Sequence, residues 1–175
     1  TLRHSSAASD VYKRQYLVNA GGAIVSAAMD YQQNSATTSM AVQLPNLVEG
    51  FNIGGGIATD QSSATTEQDI ETLYATYTMG SISVGYQTTE VDVTAANSDI
   101  ERTGYGISFA VNENMSIGYG VSDTEFDAQS FDEENTGIGA SYTAGGMTLG
   151  VIHNVKDNEG GANVDHEMTE FKLTF

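Results

Sequence analysis

Residues 104–122 read Gly104-Tyr105-Gly106-Ile107-Ser108-Phe109-Ala110-Val111-Asn112-Glu113-Asn114-Met115-Ser116-Ile117-Gly118-Tyr119-Gly120-Val121-Ser122. Tyr105, Ile107, Phe109 and Val111 alternate with Gly104, Gly106, Ser108 and Ala110. After the turn-forming Asn112-Glu113-Asn114, Met115, Ile117, Tyr119 and Val121 alternate with Ser116, Gly118, Gly120 and Ser122. Successive side chains of a strand point to opposite faces, so this is a hairpin with one apolar face and one small, polar face.

The same period runs outward in both directions. Downstream, Ile138, Ala140 and Tyr142 precede the turn Ala144-Gly145-Gly146, and Met147, Leu149 and Val151 follow it. Upstream, Ile82, Val84 and Tyr86 follow Met79-Gly80-Ser81, and Phe51, Ile53 and Ile57 follow Pro45 to Glu49. The period rule predicts about ten strands, at 18–30, 38–44, 50–60, 69–79, 81–91, 102–111, 114–124, 136–144, 146–156 and 167–175. In 69–79 the facing stays open, because Leu73, Ala75 and Tyr77 compete with Ile70 and Tyr74.

The connectors alternate in length. Short turns are expected at 45–49, 80, 112–114 and 144–146, and long loops near 31–37, 60–69, 91–101, 123–135 and 157–166. In an up-and-down meander every second connector lies on the same rim, so one rim carries tight turns and the other long loops. Carboxylates crowd the long-loop rim, from Asp60, Glu67, Asp69 and Glu71 through Asp123 to Glu134 and on to Asp157, Glu159, Asp165 and Glu167. Short turns on one side and long loops on the other is the pattern of outer-membrane barrels.

The chain closes on Glu167-Met168-Thr169-Glu170-Phe171-Lys172-Leu173-Thr174-Phe175. This alternating strand with a terminal aromatic resembles the last strand of Gram-negative outer-membrane porins, except that Glu170 stands where the family usually has Gly. The resemblance extends over most of residues 16–175, with Tyr77 to Gln87 and Thr103 to Ser108 the most similar hairpins. It is nearest to the general diffusion porins of marine or alphaproteobacterial type.

The resemblance implies an all-β, antiparallel, up-and-down transmembrane barrel of roughly sixteen strands, of which about six and a signal peptide would lie upstream. It further implies that Phe171, Leu173 and Phe175 are an assembly signal for the barrel-assembly machinery. The implied partners are outer-membrane lipid and two further copies in a homotrimer. The family's inward constriction loop lies in the earlier half of such barrels and is expected to be missing here.

The amino end reads differently. Asp10-Val11-Tyr12-Lys13-Arg14-Gln15 back-translates to GAT-GTG-TAT-AAG-AGA-CAG, the mosaic end of a sequencing-library transposon, and Ser5 to Ser9 to the primer before it. Residues 1–15 are therefore expected to be non-native, adapter-derived and disordered, with natural sequence from Tyr16.

Composition narrows the function classes. The net charge is −17; leaving out residues 1–15 removes Arg3, Lys13, Arg14 and Asp10, which leaves 3 basic against 22 acidic residues and a charge of −19. Nucleic-acid binding needs a basic footprint that this chain lacks. The absence of Cys excludes disulfides, thiolate metal sites and Cys nucleophiles. No catalytic constellation is present, since His153 and His166 lack a nucleophile elbow or a zinc-binding helix. Gly54-Gly55-Gly56 lacks the strand-turn-helix context and the Lys of a phosphate loop. Asp123, Glu125, Asp127 and Glu134 are spaced as calcium ligands, but Ala128 stands where an EF-hand needs Gly, which leaves loop calcium as the only metal candidate.

The expected function is passive diffusion of small hydrophilic solutes and ions across an outer membrane, with Ser83, Gln87, Ser108, Ser116, Ser122, Thr148, Glu170 and Lys172 lining the lumen. The acidic rim predicts weak cation preference. The alternative is a secreted or surface acidic β-domain with an adhesive or calcium-binding role. Periodicity alone does not separate the two, because a soluble sandwich alternates in the same way.

Overall fold

The computed structural model describes residues 12–32, 35–63, 66–95 and 98–175. Within them the chain forms eleven strands: β1 (Tyr12–Ala20), β2 (Ala23–Gln32), β3 (Ser35–Val48), β4 (Phe51–Ser63), β5 (Thr66–Met79), β6 (Ile82–Val93), β7 (Ile100–Asn112), β8 (Met115–Phe126), β9 (Glu133–Ala144), β10 (Met147–Asp157) and β11 (His166–Thr174). They make one sheet in strict chain order, every neighbouring pair antiparallel. The up-and-down meander read from the sequence is the observed topology.

Eleven strands stand where about ten were expected. The predicted strand 18–30 is two, because Gly21 and Gly22 turn the chain with φ of 61° and 92°. Ala20 and Ala23-Ile24-Val25 flank those glycines with small or apolar residues and no polar turn residue, which hid the turn from a hydrophobicity reading. The strand predicted at 38–44 runs on to Val48, past Pro45. Pro has no N–H for the ladder, and the register shift between Leu44 and Val48 absorbs the break as a bulge.

Residues 12–15, expected to lie outside the fold, begin β1 and pair with Ala28–Tyr31. Ladder hydrogen bonds use backbone groups that every non-Pro residue carries, so pairing does not depend on the origin of the sequence. Residues 1–11 lie outside the described residues.

The turns Gly21-Gly22, Glu49-Gly50, Gly80-Ser81, Glu113-Asn114 and Gly145-Gly146 share one rim. The connectors 127–132 and 158–165 lie on the other, with the described residues 94–95 and 98–99 between β6 and β7. Two loops on that rim are shorter than expected, since β2 and β3 extend to Gln32 and from Ser35, and β4 and β5 to Ser63 and from Thr66.

Paired residues share a face, so register sorts the side chains. Ile82, Phe109, Ile117, Ala140, Val151 and Phe171 form one row across β6–β11. On the opposite face, Ser83 pairs with Ser108, and Ser116 leads through Ser141 and Gly150 to Lys172. The open facing of 69–79 is settled. Ala75 and Tyr77 join the apolar face opposite Tyr86 and Val84, whereas Tyr74 pairs with Gln87 on the polar face.

Among the described residues no hydrophobic side chain is buried. Leu73, Val84, Tyr105, Ile107, Tyr119 and Ile138 are each 40–60% exposed. A soluble sandwich hides one face of each sheet against a second sheet, and a monomer exposing a continuous apolar face of this extent in water would associate. The single layer instead presents its apolar face to the surroundings along its whole width. No described helix is long and apolar enough to cross a membrane, a test that does not bear on strands.

Candidate functional site

The polar face is concave. It borders an open hollow of about 860 Å3 whose wall includes Tyr74, Thr76, Gln87, Arg102, Asn135 and Asn154. Small residues on this face permit the curvature. Tyr74 lies across Gly54, where a Cβ would come within 2.6 Å of its ring, so that glycine seats an aromatic and not a phosphate.

All eight residues expected to line a lumen fall on this face. Ser83 and Ser108 are paired, Gln87 and Ser122 both pair with Gly104, and Ser116 pairs with Ser141. Thr148 pairs with Thr143 and Thr174, Glu170 with Ile152, and Lys172 with Gly150. Cross-strand hydroxyl pairs stitch the face together, Ser116 with Ser141 at 2.8 Å, Thr78 with Ser83 at 2.9 Å, Thr143 with Thr148 at 2.9 Å and Thr72 with Thr89 at 3.1 Å. Each hydroxyl keeps a second lone pair or its proton for water, so the surface is wettable without being rigidly charged.

Charge is sorted by face. Arg102, Lys156 and Lys172, the three Lys or Arg residues beyond residue 15, all lie on the concave side. Arg102 donates from Nε to Thr124 Oγ1 at 3.1 Å and forms no ion pair among the described residues, while Lys156 Nζ lies 3.5 Å from Glu133 and 3.6 Å from Glu159. Many strand carboxylates continue the apolar face instead. Glu71, Glu90, Glu101 and Glu125 form one row across β5–β8, and Asp123, Glu134 and Asp157 another across β8–β10. The sequence reading missed Arg102 and Lys156 as concave residues, although stepping back by two from Ser108, Gly106 and Gly104 reaches Arg102.

The calcium candidates do not converge. Asp123 faces Glu134 across β8 and β9, Glu125 faces Glu101 across β7 and β8, and Asp127 follows the end of β8. Among the described residues no group of three His, Asp or Glu side chains is arranged to hold a metal. His153 meets Thr169 at 2.9 Å and Glu167 at 3.5 Å, and His166 meets Glu159 at 2.9 Å.

The family model described as Gram-negative porin matches residues 4–161. The chain belongs to the Gram-negative porin family. Membership places this porin in the outer membrane of a Gram-negative bacterium. Solved structures share its fold. A porin refined at 1.8 Å is 18% identical with a TM-score of 0.70, over 95% of this chain and 63% of that one. Outer-membrane-expressed OmpT of Vibrio cholerae is 13% identical with a TM-score of 0.67, over 92% of this chain and 62% of that one. The porin NanC is 9% identical with a TM-score of 0.60, over 93% of this chain and 91% of that one. Among curated protein sequences, none matches significantly. The chain thus spans under two thirds of the length of two of these three porins.

Proposed function

We propose that this porin chain is part of a barrel of roughly sixteen strands that lets small hydrophilic solutes and ions diffuse across the outer membrane. The observation that carries the reading is the sorting of side chains, with cross-strand hydroxyl pairs, amides and the cations Arg102, Lys156 and Lys172 on the concave face and the unburied apolar rows on the other. A closed barrel satisfies every backbone hydrogen bond between neighbours and so survives in hydrocarbon. The polar face then lines water, with Ser83, Gln87, Ser108, Ser116, Ser122, Thr148, Glu170 and Lys172 along the path.

Selectivity in this reading is weakly cationic. Asp99, Asp127, Asp132, Glu159 and Asp165 lie in the long connectors of one mouth and raise the local cation concentration. The preference stays weak because the rows through Glu101 and Glu134 face away from the lumen and the cations face into it. In planar bilayers under a KCl gradient, the full-length gene product is expected to show a K+ to Cl− permeability ratio above one. Arg102→Glu is expected to raise the ratio further, and an unchanged ratio would remove Arg102 from the permeation path.

The remaining partners follow from the same reading. Phe171, Leu173 and Phe175 serve as the signal for the barrel-assembly machinery, and the complete protein is a homotrimer in lipid. Deleting Phe175, which is 94% exposed and packs against nothing in the sheet, is expected to lower the amount reaching the outer membrane while leaving refolding into detergent unchanged. No cofactor takes part; calcium at Asp123, Glu125 and Glu134 would sit on the outer face, away from the solute path. Residues 1–15 are adapter-derived in this reading. The family match begins at residue 4 and β1 at Tyr12, so the genomic sequence upstream of Tyr16 is the test.

A further inference from the structure

The connector 158–165 turns toward the concave side and is fastened there. Asn158, Gly160 and Gly161 all take positive φ, of 53°, 63° and 74°, and reverse the chain just after β10. Asn158 N–H donates to Asp165 Oδ1 at 3.1 Å and Glu159 N–H to Val164 O at 2.7 Å, which closes the connector on itself. Gly161 is buried against Gln129 and Phe126, so closely that any Cβ there would collide with the Gln129 side chain. Phe126 shares the face of Thr124, which pairs with Arg102 and is itself 1% exposed.

The anchors lie on the same side. Gly160 N–H donates to Glu133 Oε2 at 2.8 Å, and Asn158 Nδ2 to the Asp132 carbonyl at 3.1 Å. Lys156 bridges Glu133 and Glu159, and Glu159 also meets His166 at 2.9 Å. Glu133, Lys156 and His166 all belong to the concave face by register. A loop that merely extended beyond the wall would need none of these contacts.

We propose that the connector 158–165 is a fixed constriction at one mouth of the channel, held by the positioning residues Glu133, Lys156 and Glu159. The proposal rests on the porin reading and adds to it where solutes are sieved. A loop seated on the wall narrows the opening by its own cross-section and places the carboxylates of Glu159 and Asp165 beside passing ions. Ala162 follows the turn Glu159–Gly161 within the connector and is exposed.

These 175 residues hold no Cys, so Ala162→Cys, with any Cys elsewhere in the full-length protein replaced by Ser, creates a unique thiol. The full-length variant is reconstituted in planar bilayers and treated with a cationic or an anionic methanethiosulfonate reagent. Single-channel conductance is expected to fall to roughly half with either, since pore diameter limits flux, and the cationic reagent to lower K+ preference while the anionic one raises it. The variant Lys156→Gln/Glu159→Gln, checked for folding by heat-modifiable gel migration, is expected to raise conductance by releasing the connector. Normal channels whose conductance and selectivity ignore both reagents and the double substitution overturn the constriction and leave the porin reading standing. Absence of channels in the unsubstituted protein overturns both.

Discussion

Ile107→Arg is expected to prevent insertion into lipid bilayers, while Ser108→Arg, one residue along the same strand, is expected to insert. Ile107 is 47% exposed and lies between Val84 and Tyr119 on the apolar face, well away from either rim of β7. A lipid-facing Arg near the midplane costs about 2–4 kcal/mol. At 1.4 kcal/mol per tenfold, that lowers the folded-to-unfolded ratio in vesicles by roughly 30- to several-hundred-fold. Ser108 lies on the concave face between Ser83 and Gly118, where an Arg reaches water. The readout is the fraction of heat-modifiable protein after dilution from urea into lipid vesicles. Equal loss for both variants would mean that the two faces do not meet different solvents.

The second large effect is expected at Gly50. It closes the turn between β3 and β4 with φ of 77°, in the left-handed region that costs a non-Gly residue about 1–3 kcal/mol. A Cβ there would also run into the carbonyl oxygen of Thr78, on the strand beyond the turn, whose N–H donates to Gly50 O at 2.8 Å. Backbone cannot yield as a flexible side chain does, so Gly50→Ala is expected to cost more than the dihedral term alone, on the order of 3 kcal/mol or above. Gly80 is the control. Its φ is 59° but nothing lies within 4 Å of a Cβ, so Gly80→Ala is expected to cost only about 1 kcal/mol. Urea midpoints of the refolded proteins in detergent measure both. Similar midpoints for the two variants would contradict the close approach at Thr78.

The architecture was legible wherever one face is apolar and the other small and polar. From Tyr77 onward the alternation carries strand, face and turn together, and the structure follows it through β6–β11. Where both faces are small or apolar, as from Ala20 to Val25, periodicity carries no break, and only the positive φ of Gly21 and Gly22 separates two strands. The facing of β5 was open because Tyr74 is an aromatic placed on the polar side. It is accommodated only because Gly54, twenty residues earlier, leaves room for the ring.

The hydroxyls Ser83, Ser108, Ser116, Ser122 and Thr148 share one face of the sheet, as their period predicts, because their order is local. The seat of the connector 158–165 was not readable. It depends on Gly161 meeting Gln129 and on Gly160 meeting Glu133, contacts between residues far apart in the chain that no period encodes. Net charge was similarly uninformative about where the charges lie until register divided them between the two faces. The belt of carboxylates on the outer face and the three concave cations are both invisible in a total of −17.

The two-solvent wall itself is tested most directly by spin labels at successive single cysteines from Gly104 to Val111, in lipid vesicles. Collision with lipid-dissolved oxygen is expected to peak at positions 105, 107, 109 and 111. Collision with a water-soluble nickel complex is expected to peak at 104, 106, 108 and 110. Two profiles in phase, or water contact at every position, would contradict a sheet with acyl chains on one side and an aqueous path on the other.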